Sequence, residues 1–418
     1  MGCQMFEFTM SPEQVKLRDE VREFAKSITR EYILDMDAEK IKYPKEYLQE
    51  AARRNLLGLR VPKEYGGRGL KWEDNIIALE EICVNGYIFG CTYGVTGDVV
   101  TEAIVHFGTE EQKKKFLIPI FKGEKFAAEC LTEPRGGSDF FGSTTIAARD
   151  GDDFILNGQK RFIVGGEGAD FFLVYAKSNP EGDDTNSMTC FMVEREMGVK
   201  TEYLYGLMGC RGGGTARVIF DNVRVPKENI IGKVNGAFPI FYQMMIPERF
   251  GTAAMTIGAA RPAVEIATDY SSKRKAFGKT VNKFQGVSFK IADAVMKLDA
   301  SRALMYATAK AVDSGADSAL CRRLVSEGKK FVTEQCWDAA NLCLQVMGGI
   351  GYTDVYPLEK IVRDLRLSMI WVGSNEVMSL IIQHEWYTER RKELKNNTKR
   401  ESEFDCISAF ADGEKIYE

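Results

Sequence analysis

Hydrophobic periodicity changes character twice along the 418 residues, and that order of patterns constrains the fold more than any single motif does. Residues 1–128 read as helical. Ser11-Pro12-Glu13-Gln14 supplies an N-cap serine, a proline at the first helical position and a glutamine that closes a capping box. Leu17, Val21, Phe24, Ala25 and Ile28 follow at helical spacing. Thr109 and Gln112 repeat the capping signal, and VPKEYGGRGL (61–70) reads as a loop between helices. Over 129–241 the pattern is that of strands. Asp150-Gly151 and Asn157-Gly158 read as two hairpin turns, and FFLVYAKS, MTCFMVERE and ARVIFDNVRV as strands, with NPEGDDTNS an exposed loop. Helices return over 242–395. Ile291, Val295, Leu298 and Met305 mark one apolar stripe, and Leu320, Leu324 and Phe331 begin another; long helices with short connections predict a bundle. The polar, charged residues 396–418 read as a tail that is flexible or peripherally docked. Helix, then β, then helix is an α+β order and argues against a doubly wound sheet. No GxGxxG follows a strand and no GxxxxGK[ST] occurs, so neither a Rossmann site nor a P-loop is expected.

Composition narrows the function classes. A net charge of −4 without a long basic block disfavours nucleic acid as a partner. No stretch approaches the roughly 20 apolar residues of a membrane span, and MGCQMFEFTMSPEQ lacks the regions of a signal peptide, so a cytoplasmic protein is expected. Ten scattered cysteines without a CxxC pair predict reduced, mostly buried thiols and no metal site. The two histidines, His106 and His384, read as structural, which leaves proton chemistry to carboxylates.

Four segments carry the chemistry: LTEPRGGSDF (131–140), NGQKRFIVGG (157–166), YSSKRKAFGKTVNKFQ (270–285) and LQVMGGIGYTDVYPLEKIVRDLRL (344–367). In this order and spacing the chain resembles the acyl-CoA dehydrogenase family over about 390 residues. The resemblance implies an N-terminal α-helical domain, a middle β-barrel-like domain and a C-terminal four-helix bundle. It also implies bound FAD, a homotetramer, and electron-transferring flavoprotein as the acceptor. Members remove the α-proton of an acyl-CoA while the β-hydrogen leaves as hydride to flavin N5. By position, Leu131, Thr132 and Ser138 match cofactor contacts, and Phe162 matches the aromatic beside the flavin. Arg274, Phe277 and Gln285 match the set that reaches the FAD of a neighbouring subunit. Gln345 and Gly349 match the Gly-rich turn at the pyrophosphate, and Ser374 and Glu376 match cofactor-side positions. Tyr93, Val95, Arg135 and Arg249 are candidates for substrate contact, with Cys91, Thr96 and Val99 beside the acyl cavity.

This chain departs from the family pattern at informative places. Val164 replaces the usual threonine whose hydroxyl reaches flavin N5. In SMIWVGSNEV (368–377), Val372 stands where many members place the catalytic glutamate; it retains a backbone N–H for the thioester carbonyl. A branch resembling isovaleryl-CoA and long-chain acyl-CoA dehydrogenases instead takes its base from a C-domain helix, directly before an arginine. Glu248-Arg249 lies at that place, and Gly251, Ala253 and Ala254 read as leaving room for the cofactor. Glu248 is therefore the expected base, and its relocation points to a branched, alicyclic or aryl-substituted acyl group. Asp98 is the alternative base, as in ring-oxidising relatives. A non-desaturating flavoprotein (a desulfinase or monooxygenase) and a non-catalytic subunit are the competing classes.

Overall fold

The capping signals act where they are expected. Ser11 caps α1 (Pro12–Lys26), with both capping-box bonds to Gln14 formed, and Thr109 and Gln112 do the same at α7 (Glu110–Gln112). The computed structural model describes residues 9–203 and 206–395; the tail expected at 396–418 lies outside the described residues. The first part continues through α2 (Arg30–Asp37), α3 (Lys45–Arg53), α4 (Trp72–Ile82), α5 (Tyr87–Gly94), α6 (Val100–Phe107) and α8 (Ile118–Phe121). A π-helical turn, Val95–Val99, joins α5 to α6.

Eight strands follow: β1 (Ala127–Cys130), β2 (Ile146–Asp150), β3 (Asp153–Ile163), β4 (Phe171–Lys177), β5 (Met188–Glu194), β6 (Lys200–Tyr203), β7 (Ala216–Val225) and β8 (Ile230–Ile231). They form one sheet in the order β6-β7-β3-β2-β4-β5-β8, with β1 pairing in parallel with β4. Side chains alternate between faces, as the pleat requires. Ala128, Cys130, Phe172 and Val174 join an apolar core of the sheet's own, whereas Ala127, Leu173 and Tyr175 face the helices.

One expected turn is absent. Asp150-Gly151 does close the β2–β3 hairpin, but Asn157-Gly158 lies inside the eleven-residue β3. The ladder to β7 shifts register between Leu156 and Gly158, and Gly158 has φ +153°. A Cβ there would come within 2.5 Å of the Thr145 hydroxyl, so the glycine marks a bulge with close chain approach, not a turn.

The last part holds α9 (Ala237–Lys273), the short hairpin β9 (Lys275–Ala276) and β10 (Lys279–Thr280), then α10 (Gln285–Asp313), α11 (Ser318–Met347), α12 (Leu358–Arg366) and α13 (Asn375–Lys395). Helix α11 packs on α9, α10 and α13. Both expected stripes need correction. Leu298 and Met305 are buried, but Val295 is 40% exposed. On α11 the buried face is Val325, Gly328, Lys329, Val332 and Cys336, while Phe331 is 38% exposed. Small and polar residues admit the close helix contacts, and the bulkier apolar residues lie on the outer face. The small residues of α9 serve the same end: Ala253 and Ala254 are fully buried in the core, and a Cβ on Gly258 would lie 2.3 Å from the Glu80 carbonyl oxygen of α4. Ala253, Ala254 and Gly258 bring helices together, while Gly251 is half-buried, where a Cβ would meet Leu79 only at an ordinary 3.8 Å.

Candidate active site

The loop after β1 is held by charge buried in the sheet. Glu133 and Lys160 form a 2.8 Å ion pair with both side chains fully enclosed. Lys160 also donates to the Leu131 carbonyl oxygen at 3.2 Å, and Glu133 accepts from the backbone N–H groups of Thr144 and Thr145. The Arg161 N–H donates to the Thr132 carbonyl oxygen at 2.8 Å. Leu131 and Thr132 are thereby fixed, half-buried, beside β3, while Arg135 and Ser138 are exposed. Burial pushes Glu133 up, but Lys160 and the N–H donors outweigh it and hold the carboxyl at about 2. Lys160 is itself pushed down by burial, so the pair stabilises less than the Glu133 shift alone suggests. Replacing Glu133 with Gln leaves Lys160 uncompensated and is expected to cost about 3–5 kcal/mol in denaturant unfolding. Because the folded carboxyl lies below its unfolded value near 4.5, the wild-type contribution is present above pH 4.5 and lost as pH falls toward 2. The Glu133→Gln unfolding curve should lack that acid limb.

Two of the bulky site candidates adopt left-handed backbone. Phe162 has φ +59° at the end of β3, where the ladder to β7 is irregular, and its ring is 47% exposed. Val372 has φ +53° and is followed by Gly373 at +82°. A β-branched residue there is strained by roughly 1–3 kcal/mol and needs external support. Lys329 of α11 supplies it. Its ammonium, fully enclosed, donates to the Gly373 carbonyl oxygen and to Asn375 Oδ1, both at 2.9 Å. Burial, then the Arg249 charge, pulls Lys329 down to about 7. Val164 and Ser374 are half-buried and Glu376 is exposed at the start of α13.

Glu248 lies on α9 directly after Pro247, which lacks the N–H to continue the helical ladder. Its Oε1 is sequestered without a hydrogen-bond partner. Burial first, then the neighbouring Glu129, drives its carboxyl well above the ordinary range, with Arg249 opposing. Arg249 is buried, its Nε lacks a partner, and burial lowers it to about 10.

Asp98 has other company. Asn75 Nδ2 donates to it at 3.2 Å, and it lines a cavity of about 60 Å³ with Arg60, Glu102 and His106. Burial raises it to about 6. Tyr93 and Cys91 are core residues, and the Tyr93 hydroxyl donates to the Leu56 carbonyl oxygen. Thr96 is bonded to the Ala127 carbonyl oxygen, Val99 is buried and Val95 is half-buried.

The remaining cofactor candidates lie on the chain's surface. Arg274 opens onto a cavity of about 450 Å³ with Asp269, Tyr270, Lys273 and Tyr356. Phe277 is 94% exposed, Gln285 and Gln345 are exposed, and a Cβ added to Gly348 or Gly349 would meet no atom within 4 Å. An exposed aromatic with a left-handed backbone, an open glycine cradle and a free-standing arginine fit a large planar cofactor with a pyrophosphate. Sequence reasoning missed Glu129, Glu133, Lys160, Tyr175 and Lys329. Of these Glu133 and Lys160 lay inside motifs; the others act across the fold.

Acyl-CoA dehydrogenase profiles match the N-terminal domain over residues 11–124, the middle domain over 128–223 and the C-terminal domain over 238–386. The chain belongs to the acyl-CoA dehydrogenase family. It is 34% identical over 370 residues to the 3-(aryl)acrylate reductase of Clostridium sporogenes, covering 88% of this chain and 96% of that one. It is 33% identical over 376 residues to the caffeyl-CoA reductase–Etf complex subunit of Acetobacterium woodii, covering 89% and 97%. Butyryl-CoA dehydrogenase from Megasphaera elsdenii superimposes with a TM-score of 0.84 at 30% identity, covering 90% and 99%. The chain is thus an oxidoreductase acting on acyl-CoA, with the family's helical, sheet and helical units. Among the described residues no helix is long and apolar enough to cross a membrane.

Proposed function

We propose that the protein interconverts an acyl-CoA and its α,β-enoyl-CoA, with Glu248 exchanging the α-proton. The observation that supports this best is the enclosed, partnerless Oε1 of Glu248, whose carboxyl burial raises toward the range of a general base. FAD is the cofactor, and when bound it accepts hydride from the β-carbon or returns it. Leu131, Thr132, Ser138, Phe162, Val164, Ser374 and Glu376 would hold it from this chain. Arg274, Phe277, Gln285, Gln345 and Gly349 would hold the cofactor of a neighbouring subunit. Val372 presents its N–H to the thioester carbonyl, where negative charge grows as the proton leaves. Arg249 adds positive charge beside the base. Val372 carries no acid, so only one carboxylate, from α9, approaches the α-carbon, which suits a branched, alicyclic or aryl-substituted acyl group.

A homotetramer is supported by the exposed apolar residues Phe277, Phe289, Met296 and Tyr352. Electron-transferring flavoprotein is the proposed electron partner, in keeping with the Etf complex subunit among the relatives. Among the described residues, eight buried, free thiols support a reducing, cytoplasmic setting.

The test is anaerobic bleaching of the bound flavin by straight, branched, alicyclic, dicarboxylic and aryl-substituted acyl-CoAs. A branched or ring-bearing member is expected to bleach fastest. The second reading, Asp98 as base, is motivated by its burial beside a small cavity and its shift to about 6. It is selected if Asp98→Asn, and not Glu248→Gln, abolishes bleaching by an alicyclic acyl-CoA. Failure of every member would leave the non-desaturating and non-catalytic readings.

A further inference from the structure

The strand β1 sends one carboxylate toward the helices. Ala127 faces the helical layer and Ala128 and Cys130 face the sheet's own core, so the pleat turns Glu129 to the side of Leu173 and Tyr175 on β4. There it comes within hydrogen-bonding reach of Glu248 on α9 and of the Tyr175 hydroxyl. Glu129 Oε1, Glu248 Oε1 and the Tyr175 hydroxyl are all enclosed and without a conventional partner. Tyr175 is fully buried. Two ionised carboxylates cannot hydrogen-bond each other, and enclosure removes the water that would separate their charges. A proton between them removes the repulsion and satisfies both oxygens at once.

We propose that Glu129 is a positioning residue that shares one proton with Glu248, making the pair, not Glu248 alone, the proton exchanger of the site. The proposal rests on the reading of Glu248 as base. At rest the pair carries one proton and one negative charge. When the α C–H bond breaks, its electrons remain with the acyl group as the enolate, and the proton forms an O–H bond on the pair, which becomes neutral. In the reverse direction the neutral pair returns that proton to the α-carbon. The same two carboxyls therefore act as base for a saturated acyl-CoA and as acid for an enoyl-CoA.

The charged and titratable groups around the pair are consistent with this. Lys160 of β3 favours ionisation of Glu129, and Arg249 favours ionisation of Glu248. Burial opposes both, and Cys130, Cys190 of β5 and Tyr175 are pushed up by burial and remain neutral. Lys160 is already paired with Glu133, which leaves Arg249 to balance a single negative charge on the pair; a second would lack compensation.

The test uses the FAD-loaded enzyme. First, hydrogen/deuterium difference infrared spectra are recorded against pH without substrate. Wild type is expected to show a protonated-carboxyl stretch persisting at pH 7 that Glu129→Gln and Glu248→Gln each remove. Second, the pH dependence of bleaching by the fastest acyl-CoA of the panel is compared. Glu129→Gln is expected to move the rising limb down by about one pH unit or more, because Glu248 loses the partner that retains its proton. A wild type without the band overturns the shared proton, whatever the variants do. An unshifted limb in a folded, FAD-replete Glu129→Gln enzyme overturns it as well. Bleaching that survives in Glu248→Gln instead rejects the reading of Glu248 as base, a distinct outcome.

Discussion

Glu248→Gln is expected to slow anaerobic flavin bleaching by about 10³-fold or more while leaving FAD content and thermal stability close to wild type. The thioester α-proton is weakly acidic and needs a positioned base. At position 372, where the resemblance implies the acid of many family members, a valine stands and cannot take the proton. Glutamine keeps the shape of the half-buried side chain and can still hydrogen-bond Glu129, so folding should not suffer. The pH dependence has a defined sign. Glu248 is raised by burial, so in the dehydrogenation direction the rate climbs with pH through that raised value. In the enoyl-reducing direction, which needs the acid form, the rate falls over the same interval. Residual bleaching at a tenth of the wild-type rate would show that another group takes the proton.

Lys329→Met is the second large effect. Lys329 ties both the Gly373 carbonyl oxygen and Asn375 Oδ1 just beyond the strained Val372. Methionine fills similar volume but donates nothing. The left-handed turn is then free to relax, and the Val372 N–H loses its aim. Loss of one such oxyanion donor costs about 10²–10³ in turnover, and that is the expected fall in kcat, with substrate affinity changed far less. Unfolding free energy is expected to drop by about 1–3 kcal/mol, because the Gly373 and Asn375 oxygens lose a buried donor. A kcat within threefold of wild type would mean that the turn holds itself, or that its N–H is not used. The effect on kcat separates this role from a merely structural one, which would lower stability and leave the bleaching rate of the folded fraction intact.

The proposed relocation of the base illustrates how much is local to the amino-acid order. A missing acid at 372 and a Glu-Arg pair at 248–249 are both local facts, legible without coordinates. So were the capping boxes at Ser11 and Thr109, which formed as expected because a cap depends on residues three apart. Asn157-Gly158 shows the opposite. The dipeptide is a sound turn signal, but β7 and Thr145 pull it into a continuous strand with a bulge, and no local rule contains those neighbours. The α11 stripe failed for a related reason: with α9, α10 and α13 all packed on one helix, small residues and a bonded lysine take the inner face.

By itself, then, the sequence determined the helix–β–helix order and the acyl-CoA dehydrogenase family, and it nominated Glu248 as the proposed base. Each follows from periodicity or from residues within one segment, where side-chain spacing is set by the backbone repeat. Only the tertiary structure decided what surrounds those groups. Glu129 meets Glu248 across 119 positions of chain because the pleat of β1 and the path of α9 converge. Lys160 reaches Glu133 across a loop, and Lys329 reaches Gly373 across 44 positions. Burial is a property of the packed whole, and burial is what raises Glu248, lowers Lys329 and leaves two carboxyl groups enclosed beside each other.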